Sequence, residues 1–400
     1  MKLQHSAAWP LDPSITFLNH GSFGCCPRQV LAVQQSLREH MEARPVEFLA
    51  RELEERYDVV RDVLAEFLGA QALELVFVPN ATYAVNSVLR SFPFGAGDEL
   101  LVTDQEYNAC RNVLDFVAAR AGCQVVVAEL PWPVTSEDEV VEALLAKVTE
   151  RTRLLLIDHI TSPTALVLPL ERIVPAMQER GVRVLVDGAH APGHLALDLA
   201  ALGADYYTGN CHKWMNAPKG AAFLWVPERW QPEVRPACIS HGANSPRDDR
   251  SRYLVEFDWT GTSDPTAVLA IPAAMQIVRE QVEGGWQALR ERNRGLAVEA
   301  RRALLQRLEL DAPAPESMLG AMASIVLPIL DPPALDNWDP LQTALREQYR
   351  IEVPIFGWGG RDGLARHRCV RISAQLYNEP GDYAQLAEAL YSLGASSAPV

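Results

Sequence analysis

Between residues 28 and 68 apolar positions recur at helical spacing, and Pro45 is expected to break the run into two helices. Beyond it, short apolar runs alternate with longer amphipathic ones. "LELVFVP", "DELLVTD", "QVVVAEL", "TRLLLIDHI", "VRVLVDGAH" and "ADYYTG" read as strands. The segments between them, "ATYAVNSVLRSF", "NACRNVLDFVAARAG", "TSEDEVVEALLAKV" and "LERIVPAMQERG", read as helices. Strand–helix alternation with short connections predicts an α/β fold, a mostly parallel central sheet with helices on both faces. Past residue 270 the pattern changes. Two helical stretches, "AVLAIPAAMQIVREQV" and "NRGLAVEARRALLQRL", precede the strand candidates "MASIVLPIL", "IEVPIF" and "CVRISA". This predicts a smaller α+β C-terminal domain. The expected division is an N-terminal segment 1–27 that joins the small domain, a large domain 28–268 and a small domain 269–400.

Ligands of such sheets collect outside the carboxyl ends of the strands, and the polar residues there carry the chemistry. Asp187 closes the apolar run "VRVLVD". It reads either as a cap or turn residue or as a carboxylate aimed at a ligand. Lys213 follows one predicted strand later, behind a histidine; it is either a solvent-facing loop lysine or an amine kept for a task, because burying an ammonium is costly. An amine that forms a Schiff base, with an acid that keeps a pyridine nitrogen protonated, is what pyridoxal phosphate requires. "PNATYAVNSVLR" offers a phosphate cradle where a strand turns into a helix, with Ala81 and Thr82 in the first turn; Thr82 also reads as a plain N-cap. Tyr107, after "DELLVTDQE", can stack on a planar ring or pack in the core.

Composition narrows the setting. The 400 residues are 48% hydrophobic and 22% charged, with a formal charge of −15, which disfavours nucleic-acid binding. The start "MKLQHSAAWPLDPS" lacks a secretory pattern, and no stretch approaches a membrane span. Seven irregularly spaced cysteines suit free thiols, so a cytoplasmic protein is expected. His40, His367, Cys110 and Cys123 read as surface or packing residues.

Taken together, "FLNHGSFGCCPRQV", "PNATYAVN", "VDGAHAPG", "GNCHKW", "DWTGTSDPTA" and "RISAQLYNEPGD" resemble the class V aminotransferase group of fold type I pyridoxal-phosphate enzymes, most of all its isopenicillin N epimerase-like members. The resemblance implies that pyridoxal 5'-phosphate is linked to Lys213, with Asp187 on the pyridine nitrogen, His190 on the phenolic oxygen and Tyr107 stacked on the ring. It further implies that Ala81, Thr82, Asn210 and His212 hold the phosphate, and that Gly261 and Thr262 approach it from the second subunit of a homodimer. Arg371 would grip the carboxylate of a small amino-acid substrate, a task suited to guanidinium, and Asn19, His20 and Ser22 would line the entrance. Desulfurases of the group carry a mobile-loop cysteine; here the corresponding region, "FGWGGRDGLARHRCVR", holds only Cys369, two positions before Arg371 on an expected strand.

With Lys213 as the base at the α-carbon, reprotonation on the opposite face gives epimerisation, the expected reaction. Loss of a β-substituent gives a C–S lyase of the cysteine or hercynylcysteine sulfoxide type, and transfer to a keto acid gives an aminotransferase. Two other classes compete. His190 and His194, spaced i, i+4, with Asp187 or His212 offer zinc-type ligands, but nothing resembles HExxH and no metal is expected. A binding protein that kept the fold and lost the chemistry would have no use for Lys213 and Asp187.

Overall fold

The computed structural model describes residues 6–328, 338–358 and 367–395. Strand β1 (Thr16–Phe17) precedes helix α1 (Arg28–Ala43), whose run stops before Pro45. Pro45 then opens the next helical turn, where its missing N–H goes unneeded, and a π-turn over Phe48–Glu52 leads into α2 (Leu53–Leu68). The alternating region follows: β2 (Leu75–Val78), α3 (Ala81–Ser91), β3 (Glu99–Thr103), α4 (Asn108–Ala121), β4 (Gln124–Ala128), α5 (Glu137–Leu145), β5 (Thr152–Asp158), α6 (Leu170–Gln178), β6 (Arg183–Asp187), β7 (Tyr206–Asn210) and β8 (Ala222–Trp225). These strands form one seven-stranded sheet in the order β2-β8-β7-β6-β5-β3-β4. The pairs among β3 to β7 are parallel, and β8 runs antiparallel to both its neighbours.

Side-chain alternation decides what reaches each face. Leu154 and Leu156 of β5 and Leu185 of β6 pack with α3 and α4, whereas Leu155, Ile157, Val184 and Val186 face the opposite core, with α1, α2 and α6. Continued by one step, the same parity turns Asp158 and Asp187 toward the α3/α4 face. The two are direct neighbours in the parallel register.

After α7 (Ile271–Gln281) comes α8 (Gly285–Leu308), a 24-residue helix shared between two cores. Its Trp286 and Leu289 belong to the core of the large sheet, and Leu296 through Leu308 to a second one. That second core lies under a three-stranded antiparallel sheet of β9 (Met322–Val326), β11 (Ile355–Trp358) and β12 (His367–Ser373), with α9 (Pro340–Tyr349) and α10 (Pro380–Ser392). Strand β10 (Ile351–Glu352) pairs in parallel with β1, Thr16 opposite Ile351 and Phe17 opposite Glu352. On β12, Val370 and Ile372 fill the second core while Cys369 and Arg371 face the loop after β5. No helix among the described residues is long and apolar enough to cross a membrane.

Arg61 of α2 pins the loop that leads to Gly261. Only 1% exposed, it donates to the Leu75 carbonyl at 2.9 Å and to Asp258 at 2.5 Å, and it also pairs with Asp58. Replacing Arg61 with alanine leaves the largely dry Asp258 carboxylate to Arg250 alone, at 3.1 Å, and frees the Leu75 carbonyl. The expected loss is about 1–3 kcal/mol, read as a lowered urea midpoint; an unchanged midpoint would show that the pair contributes nothing.

Candidate active site

The carboxyl ends of β3, β5, β6 and β7 bring their polar residues into one cluster. Asp187 is buried; its Oδ1 accepts the Ala189 amide at 2.9 Å and its Oδ2 the Cys110 thiol at 3.2 Å. Cys110 packs in the core as expected from sequence, and from the first turn of α4 its thiol also reaches the acid at the end of β6. Burial, and then the Asp187 charge, pushes its thiol well up. Two further acids join Asp187. Asp158 comes from the adjacent strand, and Glu106 from the turn after β3 lies with Cys110 and Asp187 so that their polar atoms are within 4.8 Å of one another. Burial drives the carboxyl groups of Glu106, Asp158 and Asp187 upward. Sequence reasoning missed Glu106 and Asp158, although Asp158 ends its apolar run just as Asp187 does.

Lys213 sits in the loop between β7 and β8, and its Nζ lies 3.1 Å from His190 Nε2. Desolvation first, and then the Arg371 charge, lowers its amine to about 8, against the opposing pull of Asp187 and Asp158. His190 is buried and held far below its ordinary value by that burial and by the Lys213 and Arg371 charges, so its ring is neutral. Its Nδ1 is buried without a partner. His194 does not converge with it as a metal ligand. One ring nitrogen accepts the Ala321 amide and the other donates to the His190 carbonyl at 3.2 Å, which clamps the small sheet to this loop. His212 donates Nδ1–H to Ala221 O at 3.1 Å and is lowered to about 4 by burial and then by Lys213. Its Nε2 must gain a proton before it can serve a phosphate.

Arg371 approaches from β12. It is 1% exposed and donates to Ser162 O at 2.6 Å and to Ser22 Oγ at 3.1 Å, while its Nε has no partner. Every one of these partners is uncharged, and burial lowers the guanidinium to about 10. Ser22 in turn donates to Asn19 Oδ1 at 2.6 Å, so of the three N-terminal residues Ser22 meets the arginine and Asn19 supports it through Ser22. His20 does not line the entrance. It is fully buried, with its ring nitrogens 2.8 Å from the Tyr377 hydroxyl and 3.0 Å from the Lys213 carbonyl, because it props the lysine loop from behind. Gly24 closes the same contact at φ 68°; a Cβ there would stand 2.2 Å from His212 O and 2.9 Å from Lys213 Cα.

At the start of α3 the Ala81 amide donates to Asn210 Oδ1 at 2.9 Å, tying that helix end to the end of β7, and Thr82 is half-buried in the same turn. Tyr107, 48% exposed just before α4, feels both the Asp187 and the Arg371 charge at its hydroxyl. Gly261 and Thr262 lie in an open loop, with nothing within 4 Å of a Cβ added at Gly261. No hydrogen bond among the described residues joins them to Lys213, Asp187 or Arg371.

An amine without a carboxylate on it, an orphaned buried imidazole nitrogen, an acid at a strand end and a helix N-terminus fit one elongated ligand with a ring, an aldehyde and a phosphate. The comparisons agree. A family model described as Aminotransferase class-V matches residues 21–386. The chain is 39% identical over 397 residues to isopenicillin N epimerase of Amycolatopsis lactamdurans, covering 96% of each. It is 33% identical over 402 residues to a probable chloroplastic L-cysteine desulfhydrase of Arabidopsis thaliana, covering 96% of this chain and 83% of the relative. Its fold matches that of C-DES, solved with glycine covalently linked to its PLP cofactor, at a TM-score of 0.76, 23% identity and coverage of 94% and 96%. Fold and site thus define a pyridoxal 5'-phosphate enzyme on a mostly parallel α/β sheet. Within that class, the chain belongs to the class V aminotransferase family.

Gly24→Ala should displace the Lys213 loop and abolish stoichiometric cofactor uptake while leaving the far-ultraviolet spectrum native; full uptake would show that the contact yields. The lowered amine gives a pH signature. Only neutral Lys213 can attack an aldehyde, so uptake by cofactor-free protein should climb about tenfold per pH unit and level off above about 8. An unshifted lysine would keep climbing to about 10.4.

Proposed function

We propose that the protein acts at the α-carbon of an amino acid or amino-acid derivative and inverts it, as an epimerase of the isopenicillin N epimerase kind. The observation that carries this reading is the pairing of a neutralisable amine, Lys213, with a buried guanidinium, Arg371, that has only uncharged partners. Bound pyridoxal phosphate supplies an electron sink for the α-carbon. The chain does the rest. Arg371 takes the substrate carboxylate through two parallel hydrogen bonds, with Ser22 and Asn19 steadying it. Lys213 accepts the α-proton, Asp187 holds a proton on the ring nitrogen, and neutral His190 offers Nδ1–H to the ring oxygen. Ala81, Thr82, Asn210 and protonated His212 hold the phosphate, and Tyr107 covers the ring.

Gly261 and Thr262 complete that phosphate site in a second copy of the chain, so the working form is a homodimer. Residues 28–268 form its cofactor domain, 269–400 its small domain and 1–27 the strap across both. The seven cysteines, all free, suit a reducing cytoplasm.

A second reading, C–S bond cleavage, is favoured by the relatives named L-cysteine desulfhydrase. It needs no persulfide-bearing cysteine. Cys369 is buried on β12 with its thiol 3.2 Å from Pro163 O and pushed up to about 12, so it is a poor sulfur acceptor.

Incubation with a panel of L-amino acids, peptides with a free α-amino group and sulfur-substituted derivatives in deuterium oxide separates the outcomes. Deuterium at the α-carbon with loss of optical rotation is expected. Pyruvate with sulfide or thiol would favour the lyase, and amino-group transfer alone would overturn both.

A further inference from the structure

A groove of about 770 Å³ opens between the N-terminal segment and β11, beside the Arg371 grip. We propose that this groove takes the substrate's side chain, so that the protein selects α-amino acids with a long, mainly apolar side chain over small ones. This rests on the reading that Arg371 holds the substrate carboxylate.

The groove and the grip share residues. Ser22 lines the groove, and its hydroxyl accepts from Arg371 at 3.1 Å; Asn19, also in the lining, holds that hydroxyl at 2.6 Å. Phe356 of β11 lines it too, and the guanidinium carbon of Arg371 lies 4.8 Å from the centre of its ring. An α-carbon bears the carboxylate and the side chain on adjacent bonds. A carboxylate seated on Arg371 therefore brings the first side-chain atoms within reach of Ser22 and Phe356.

Size and lining set the class of side chain. Pockets of roughly 300–1,000 Å³ bury drug-sized ligands, and a side chain as short as that of cysteine would leave most of this space to water. Leu11, Ile15 and Phe17 supply apolar surface from the N-terminal segment. Phe23 and Trp338 line the groove as well; at 73% and 78% they are the most exposed large apolar side chains among the described residues. Apolar surface left open in this way marks a binding site more often than an accident of folding. The charged groups of the lining are matched among themselves. Arg368 holds Asp339 at 2.7 Å, Arg346 holds Glu352 at 2.7 Å, and Arg350 donates to Ser14 Oγ, which donates to Asp12, each at 2.8 Å. None is left bare to require a charge on the side chain, whereas the apolar walls gain about fourfold in affinity for each methylene they cover.

The test uses the cofactor-loaded protein and the straight-chain series L-alanine, L-norvaline, L-norleucine and L-2-aminooctanoic acid. The half-saturating concentration is read from the change in visible absorbance and from α-proton exchange in deuterium oxide. It should fall about fourfold with each added methylene. Ile15→Asp, which puts a charge on the wall, should flatten that slope; the slope is a ratio within one preparation, so a partly unfolded variant does not distort it. Should Ile15→Asp not fold at all, Phe23→Asp, at an exposed position, serves the same purpose. A flat or reversed slope in the wild type overturns the proposal, and a groove filled by a second copy of the chain would give that result. A slope that the added charge leaves intact overturns it as well. Carboxamides of the same four amino acids check the Arg371 reading separately: at every chain length they should need concentrations about tenfold higher or more. Amides that bind as well as the acids would sink that reading, whatever the slope.

Discussion

A primary amine withdrawn from water, with no carboxylate touching it, is the condition on which the rest of the site depends. An ammonium in that position is costly, and the cost is relieved by giving up the proton. Lys213 gives up its proton more readily than a free lysine, at about 8, because it is buried, because the Arg371 guanidinium adds a like charge and because its hydrogen-bonding neighbour is the uncharged His190 ring. The acids that would restore the proton stand farther off, at the ends of β5 and β6. Had Asp158 or Asp187 closed directly on the amine, a salt bridge would have fixed it as a cation and removed its nucleophilicity.

The same separation of charge gives the pocket a direction. Acids gather at the end formed by the large sheet and a bare guanidinium waits at the end formed by the small one, with Lys213 between them. Under the proposed function, that polarity would orient a zwitterionic amino acid before any reaction, carboxylate toward β12 and nitrogen toward the lysine. Two serines and a backbone carbonyl hold the guanidinium without neutralising it. That arrangement leaves its charge for an incoming anion.

Much of this was legible in the sequence, for a definite reason. The short, continuous apolar runs show the strands and which residue closes each, and from this come Asp187 after β6, the loop of Lys213 after β7 and the turn at Ala81 and Thr82 after β2. The pairings are harder to see. Ser22 and Arg371 lie 349 residues apart, and Ser162 and Arg371 209 apart, so no local pattern announces them. Asp158 was readable as a strand end, but its register with Asp187 depends on which strands are neighbours. Glu106 was masked by the more conspicuous Tyr107 beside it. His20 misled because a histidine near a glycine-rich motif looks accessible, whereas Tyr377 and the lysine loop enclose it.

Helix α8 carries a mechanical consequence. Its 24 residues span about 36 Å without interruption, one end embedded in each core. The halves are therefore fastened to a common spindle: sliding or pulling apart would tear apolar side chains out of one core or the other, whereas a small swivel about the spindle axis leaves both packed. Such a swivel would act first on the bonds between the small sheet and the loops of the large one, Ala321 to His194, Ser324 to Pro163 and Arg371 to Ser162, so those bonds set how far the two halves can turn.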